Sequence, residues 1–117
     1  MTLGKDRMRR VNEAIREVVS TAIAHELKDP RIGFVTVTSV STSPDLRHAH
    51  VHVSVLGDER GRAETLEGLA SSRGYIQRRV ASELRLKHTP QLDFRYDEST
   101  DRGIRIAELL REGDSGT

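Results

Sequence analysis

The chain has no cysteine and no tryptophan, and only two phenylalanines and two tyrosines among its 117 residues. Without a thiol there is no disulfide framework, no thiolate metal ligand and no cysteine nucleophile. That suits a reducing compartment, and a cytoplasmic location is expected. An aromatic content of 3% disfavours RNA modules that stack bases on exposed rings, such as the four-stranded recognition-motif sheet or the OB barrel. Long apolar runs are also missing. Asn12, Glu13, Arg16 and Glu17 break the N-terminal segment, so neither a secretory signal nor a membrane span is expected. Gly-rich phosphate loops of the Walker or dinucleotide type and the Gly-x-Ser-x-Gly elbow do not occur, so neither catalysis nor a cofactor is expected.

What the chain does have is charge, sharply sorted. Charged residues make up 32% of it for a net charge of +1, so the distribution says more than the total. From Ser72 to Pro90 there are five cations (Arg73, Arg78, Arg79, Arg85, Lys87) against Glu83 alone, a local balance of +4. From Asp93 to Asp101 four acids stand against one arginine, a balance of −3. Of the 19 basic residues 16 are arginine, whose planar fork suits bidentate contacts to phosphate.

The length indicates one domain with a core that needs no staples. Met8, Val11, Ile15, Val18, Ala22 and Ile23 recur at three and four, which predicts an amphipathic helix from about Lys5 to Leu27. Pro30 closes it by disfavouring helix in the residue before. Residues 34–40 and 48–56 alternate at period two and are rich in β-branched side chains, with Ser43-Pro44-Asp45 as the turn between two antiparallel strands. In the second strand Ala49, Val51, Val53 and Val55 face the core, and His48, His50, His52 and Ser54 face away. A helix over 62–70 is then interrupted at Ser72 and Gly74 and resumes as the basic helix, with Ile76, Val80 and Leu84 inward. A mid-helix glycine costs up to about 1 kcal/mol against alanine, so a kink is expected there. After Pro90, Leu92, Phe94 and Tyr96 alternate with Asp93, Arg95 and Asp97 as a third strand. Ser99 or Thr100 caps a last helix with Ile104, Ala107 and Leu110 inward, followed by a frayed tail from Gly113 to Thr117.

Three readings of function come from these residues. The basic helix, with Arg78 and Arg85 seven apart on one line and Lys87 beyond them, forms a phosphate-reading surface. Arg73 at the kink and Arg9 and Arg10 on the first helix extend it, and Arg79 belongs to it less firmly because Glu83 at i+4 can pair with it. The open sheet face could instead serve a protein–protein adaptor. Lastly, His48, His50 and His52 lie about 6–7 Å apart along one strand face, near enough for two to share a zinc ion with Asp45, Asp93 or Asp97 as a third ligand. An ordinary polar, solvated sheet face explains the same row, and no metal is expected.

The order helix, strand, strand, helix, kinked helix, strand, helix resembles an α+β, type II KH-like domain: a three-stranded sheet with helices on one face. The Gly-x-x-Gly loop of that fold is missing, since Gly68 and Gly74 are six apart, and Ser72-Arg73-Gly74 provides a kinked helix in its place. That combination resembles the bacterial ribosome-binding factor A family over nearly the whole chain. The stretches that carry it are Asp29-Pro30-Arg31, Val35-Thr36-Val37, Ser43-Pro44-Asp45-Leu46, 51–56, 74–78, Leu84-Arg85-Leu86-Lys87 and 90–97. The family's break is Ala-x-Gly, and Ser72 replaces the alanine here. The resemblance implies a KH-like domain on 1–112 and a non-enzymatic assembly factor, a monomer that binds the small ribosomal subunit and its rRNA. It further implies a role in late maturation, including 5′-end processing of that rRNA, chiefly in the cold, and release aided by a ribosome-associated GTPase.

Overall fold

A computed structural model describes residues 2–99, 107 and 109–111 of the chain. Its elements are α1 (Thr2–Thr21), continued by a π-helical turn (Ala22–Glu26), then β1 (Val35–Thr42), β2 (His48–Val55), α2 (Glu59–Ser71), α3 (Arg73–Glu83) and β3 (Gln91–Tyr96). The sheet has the order β1-β2-β3, with β1 antiparallel and β3 parallel to β2. A parallel pair needs a long crossover, and α2 and α3 supply it. The α+β class and the three-stranded sheet with helices on one face agree with the expectation.

Alternation along β2 decides which face is covered. Ala49, Val51, Val53 and Val55 are buried against the helices with Ile15, Val19, Ala22, Leu69, Ile76, Val80 and Leu92. Each fully buried Val, Leu or Ile side chain of that set contributes on the order of 1.5–3 kcal/mol of transfer free energy. On the other face His48 is exposed and His50, His52 and Ser54 are half-buried. In β1 the register slips between Val37 and Ser39 and leaves Thr38 out of the pairing. This bulge keeps both Val37 and Val40 inward although they are three apart.

Several boundaries differ from the expected ones. The second helix begins at Glu59 because Asp58 caps it, its side chain accepting the Gly61 N–H at 2.8 Å. Phe34 and Leu56 fall outside the strands and are exposed, joined by the Leu56 N–H to the Phe34 carbonyl at 3.1 Å. The largest correction concerns the basic helix, which ends at Glu83; Leu84 is already extended at φ −111° and ψ 125°. From there Leu84 and Leu86 are half-buried while Arg85 and Lys87 are exposed. That period-two alternation is satisfied by extended chain, so Arg85 does not share a helical line with Arg78. At the C-terminal end, Ala107 and Leu110 are exposed rather than inward. Ile104, the Thr100 cap and the tail from Gly113 to Thr117 lie outside the described residues.

Two contacts fasten α2 over the loop after α1. Buried Thr65 donates its hydroxyl to the Arg31 carbonyl and accepts the Gly33 N–H, both at 3.3 Å. One turn on, a Cβ on Gly68 would lie 2.7 Å from Ile32 Cγ1. Gly68→Ala is therefore expected to lower stability by about 1–3 kcal/mol through overpacking, read as an earlier denaturant midpoint at unchanged slope.

Candidate nucleic-acid interface

The turn at 43–47 marks one end of the sheet, and Arg47 and Arg73 line one concavity there. Asp45 builds the turn: its carboxylate accepts the Ser43 hydroxyl at 2.6 Å and the Arg47 N–H at 3.1 Å. The Ser43 bond, then the Arg47 one, hold its pKa below the ordinary value. Arg47 is thereby presented outward. The Thr42 N–H donates to Asn12 Oδ1 at 3.0 Å, which registers α1 against this end. Arg9 and Arg10, less than one turn before Asn12, are exposed on the helix as it runs past the sheet. The Gln91 N–H donates to the Arg47 carbonyl at 2.8 Å, so β3 starts beside the turn, and His88 in the preceding loop shares a concavity with Arg47, while Arg85 and Lys87 earlier in that loop are exposed.

Ser72 separates α2 from α3 with φ −90° and ψ 1°, and its side chain makes no capping bond to α3. Gly74 sits within the first turn of α3, where an added Cβ would meet only the Arg78 guanidinium, at 3.6 Å. The break in the backbone thus lies at Ser72, and the space at Gly74 would take a side chain in ordinary contact with Arg78. Arg73 and Gln77, one turn apart, face the beginnings of β2 and β3. With Arg47, His48, His88, Thr89 and Gln91 they line a concavity of about 450 Å³. The Leu92 N–H donates to Gln77 Oε1 at 3.2 Å, fixing that amide.

Arg79 is placed differently from the other cations. Its Nε donates to Glu26 Oε1 at 2.9 Å and its Nη1 to Glu83 Oε1 at 3.0 Å. Tyr75 donates its hydroxyl to the same Glu26 oxygen. The Tyr75 bond and then Arg79 hold the Glu26 carboxyl below its usual value. Arg79 therefore clamps α3 to the end of α1, whereas Arg9, Arg10, Arg78, Arg85 and Lys87 stand exposed.

The acids that follow are spent on local structure. Asp97 accepts from the Ser99 hydroxyl at 2.6 Å and N–H at 2.9 Å and from the Thr38 hydroxyl at 2.7 Å. The Ser99 hydroxyl first, then Thr38, bring its pKa down to about 2. Asp93 lies 3.8 Å from His48 Nδ1 and 3.9 Å from Arg73 Nη1. Among the described residues no three His, Cys, Asp or Glu side chains gather into a site able to hold a metal ion. No helix among them is long and apolar enough to cross a membrane. Sequence reasoning missed Arg47, His88 and Gln77; the signal was the parallel β2–β3 pairing, which no local pattern displays.

Comparison with known proteins bears on this arrangement. The family profile described as ribosome-binding factor A matches residues 7–110. The ribosome-binding factor A of Halothermothrix orenii is 48% identical over 108 residues, covering 92% of this chain and 88% of the relative. That of Geobacter metallireducens is 50% identical over 103 residues, covering 88% and 87%. A Thermotoga maritima protein solved by NMR superposes with a TM-score of 0.69 at 34% identity, over 76% of this chain and 85% of its own. The Thermus thermophilus ribosome-binding factor A, at 24% identity, shares the fold with a TM-score of 0.67 over 76% of this chain and 94% of its own. A model of that Thermus factor has been fitted into a cryo-EM map of its complex with the 30S subunit.

Proposed function

Since this chain belongs to the ribosome-binding factor A family, we propose that it is a non-enzymatic assembly factor that binds the small ribosomal subunit through phosphates of its rRNA. One observation carries the reading: Arg9, Arg10, Arg73, Arg78, Arg85 and Lys87 are all exposed, and Arg73 at the start of α3 lines one concavity with Arg47 just before β2. Cations so arranged on a rigid domain read backbone shape and charge, and they carry no base code. The 30S complex of the Thermus factor supports the choice of subunit. The factor acts late in maturation in the cytoplasm as a monomer, supports 5′-end processing of the small-subunit rRNA, matters most in the cold and leaves with the help of a ribosome-associated GTPase.

Sedimentation with purified subunits tests the binding. The chain is expected to travel with small subunits and to leave large subunits behind, with affinity falling steeply as salt rises. Equal sedimentation with both, or none with either, counts against it. In cells lacking the factor, unprocessed 5′ ends should accumulate more at low temperature than at high, and equal accumulation at both removes the cold role.

A further inference from the structure

We propose that the concavity between α3 and the starts of β2 and β3 takes a single phosphodiester group of unpaired RNA together with its adjoining nucleotide. The proposal rests on the ribosomal reading above for the identity of the polymer, and on the concavity for the rest. Among the described residues no carboxylate lines it. Arg47 and Arg73 supply the charge. Their side chains are 74% and 46% exposed, against 33% for the clamped Arg79. Each has a carboxylate only at the outer limit of pairing, Asp45 at 4.0 Å and Asp93 at 3.9 Å. Such loose, exposed pairs are worth little, and a bidentate phosphate contact is stronger than either.

Gln77 adds a neutral donor whose direction is settled by chemistry. An N–H can donate only to the amide oxygen, so the Leu92 N–H holds Oε1 toward β3 and leaves the Nε2 protons for the concavity. A volume of about 450 Å³ exceeds what one phosphate fills and suits a nucleotide. His48 and His88 on its wall offer the flat faces on which an unpaired base stacks. They take this part in a chain with only two phenylalanines, two tyrosines and no tryptophan. A duplex cannot splay a nucleotide into such a recess without unpairing it.

The test is an amide NMR titration with a single-stranded hexauridylate, a duplex of equal length and inorganic phosphate, on the full chain. The hexamer is expected to move the His48, Gln77 and Gln91 signals. The duplex and inorganic phosphate should each bind there at least tenfold more weakly. Gln77→Glu keeps the acceptor for Leu92 and places a negative charge where the ligand's lies, so it should weaken the hexamer about tenfold or more. Arg47→Ala, at an exposed turn position, should do the same without disturbing the fold. Hexamer affinity unchanged in both variants overturns the site, inorganic phosphate binding as tightly as the hexamer makes it a free-anion site, and an equal duplex affinity removes the unpaired strand. Sedimentation separates this from the broader reading. A hexamer seated in the concavity of a chain that ignores small subunits leaves the site standing and the ribosomal function overturned. Gln77→Glu that matches the parent in both assays overturns the site alone.

Discussion

Replacing Arg78, Arg85 and Lys87 together by glutamate should lower affinity for the small subunit by roughly a hundredfold or more near 0.1 M salt. Each cation that neutralises a phosphate releases about one condensed counterion. The plot of log affinity against log salt should therefore flatten by about two to three units. All three side chains are exposed and among the described residues none has an ion pair as Arg79 does, so the variant should keep the parent's melting temperature within a few degrees. Arg79 is left out of the set because its guanidinium is already held by Glu26 and Glu83. Binding measured across a salt series is decisive: an unchanged slope would show that these cations do not meet phosphate at all.

The interface was half legible beforehand, and the split has a physical cause. Patterns that repeat within one element survive in the sequence. The β2 alternation and the α1 stripe lie where periodicity put them, and of the cations after Ser72 those up to Arg79 stand on the expected helix. What depends on two elements meeting leaves no local mark. Arg47 looks like an ordinary turn residue until β3 is seen to pair in parallel with β2 and to start beside it. Gly68, read only for its spacing to Gly74, is the glycine with no room for a side chain, because Ile32 crosses it. Leu84-Arg85-Leu86-Lys87 fits two periods at once. Leu84 continues the helical spacing of Ile76 and Val80, yet the four residues also alternate, and the chain follows the alternation on its way to β3, which begins beside the start of β2. Arg79 was expected to lean on Glu83 and does, but Glu26, far away in sequence, is its nearer partner.

The same helix also carries the largest stability effect expected of one substitution. Ile76 is fully buried among the residues that join α3 to the sheet. Cutting it to alanine removes three carbons and leaves a cavity that a packed core closes only in part, at a cost of about 2–5 kcal/mol. For a chain of this length that corresponds to a fall in melting temperature of roughly 10–20 °C. Ile76→Val, which removes one methyl, should cost about 0.5–1.5 kcal/mol. A fall of only a degree or two in Ile76→Ala would mean that α3 is not anchored there. Because domains of this kind have about 5–15 kcal/mol in hand, most Ile76→Ala molecules should remain folded in the cold. Their salt slope for small-subunit binding should then match the parent's, since no cation has been touched. The two variants therefore separate anchoring from recognition on one helix: the charge reversal keeps the melting temperature and loses the slope, and Ile76→Ala loses the melting temperature and keeps the slope.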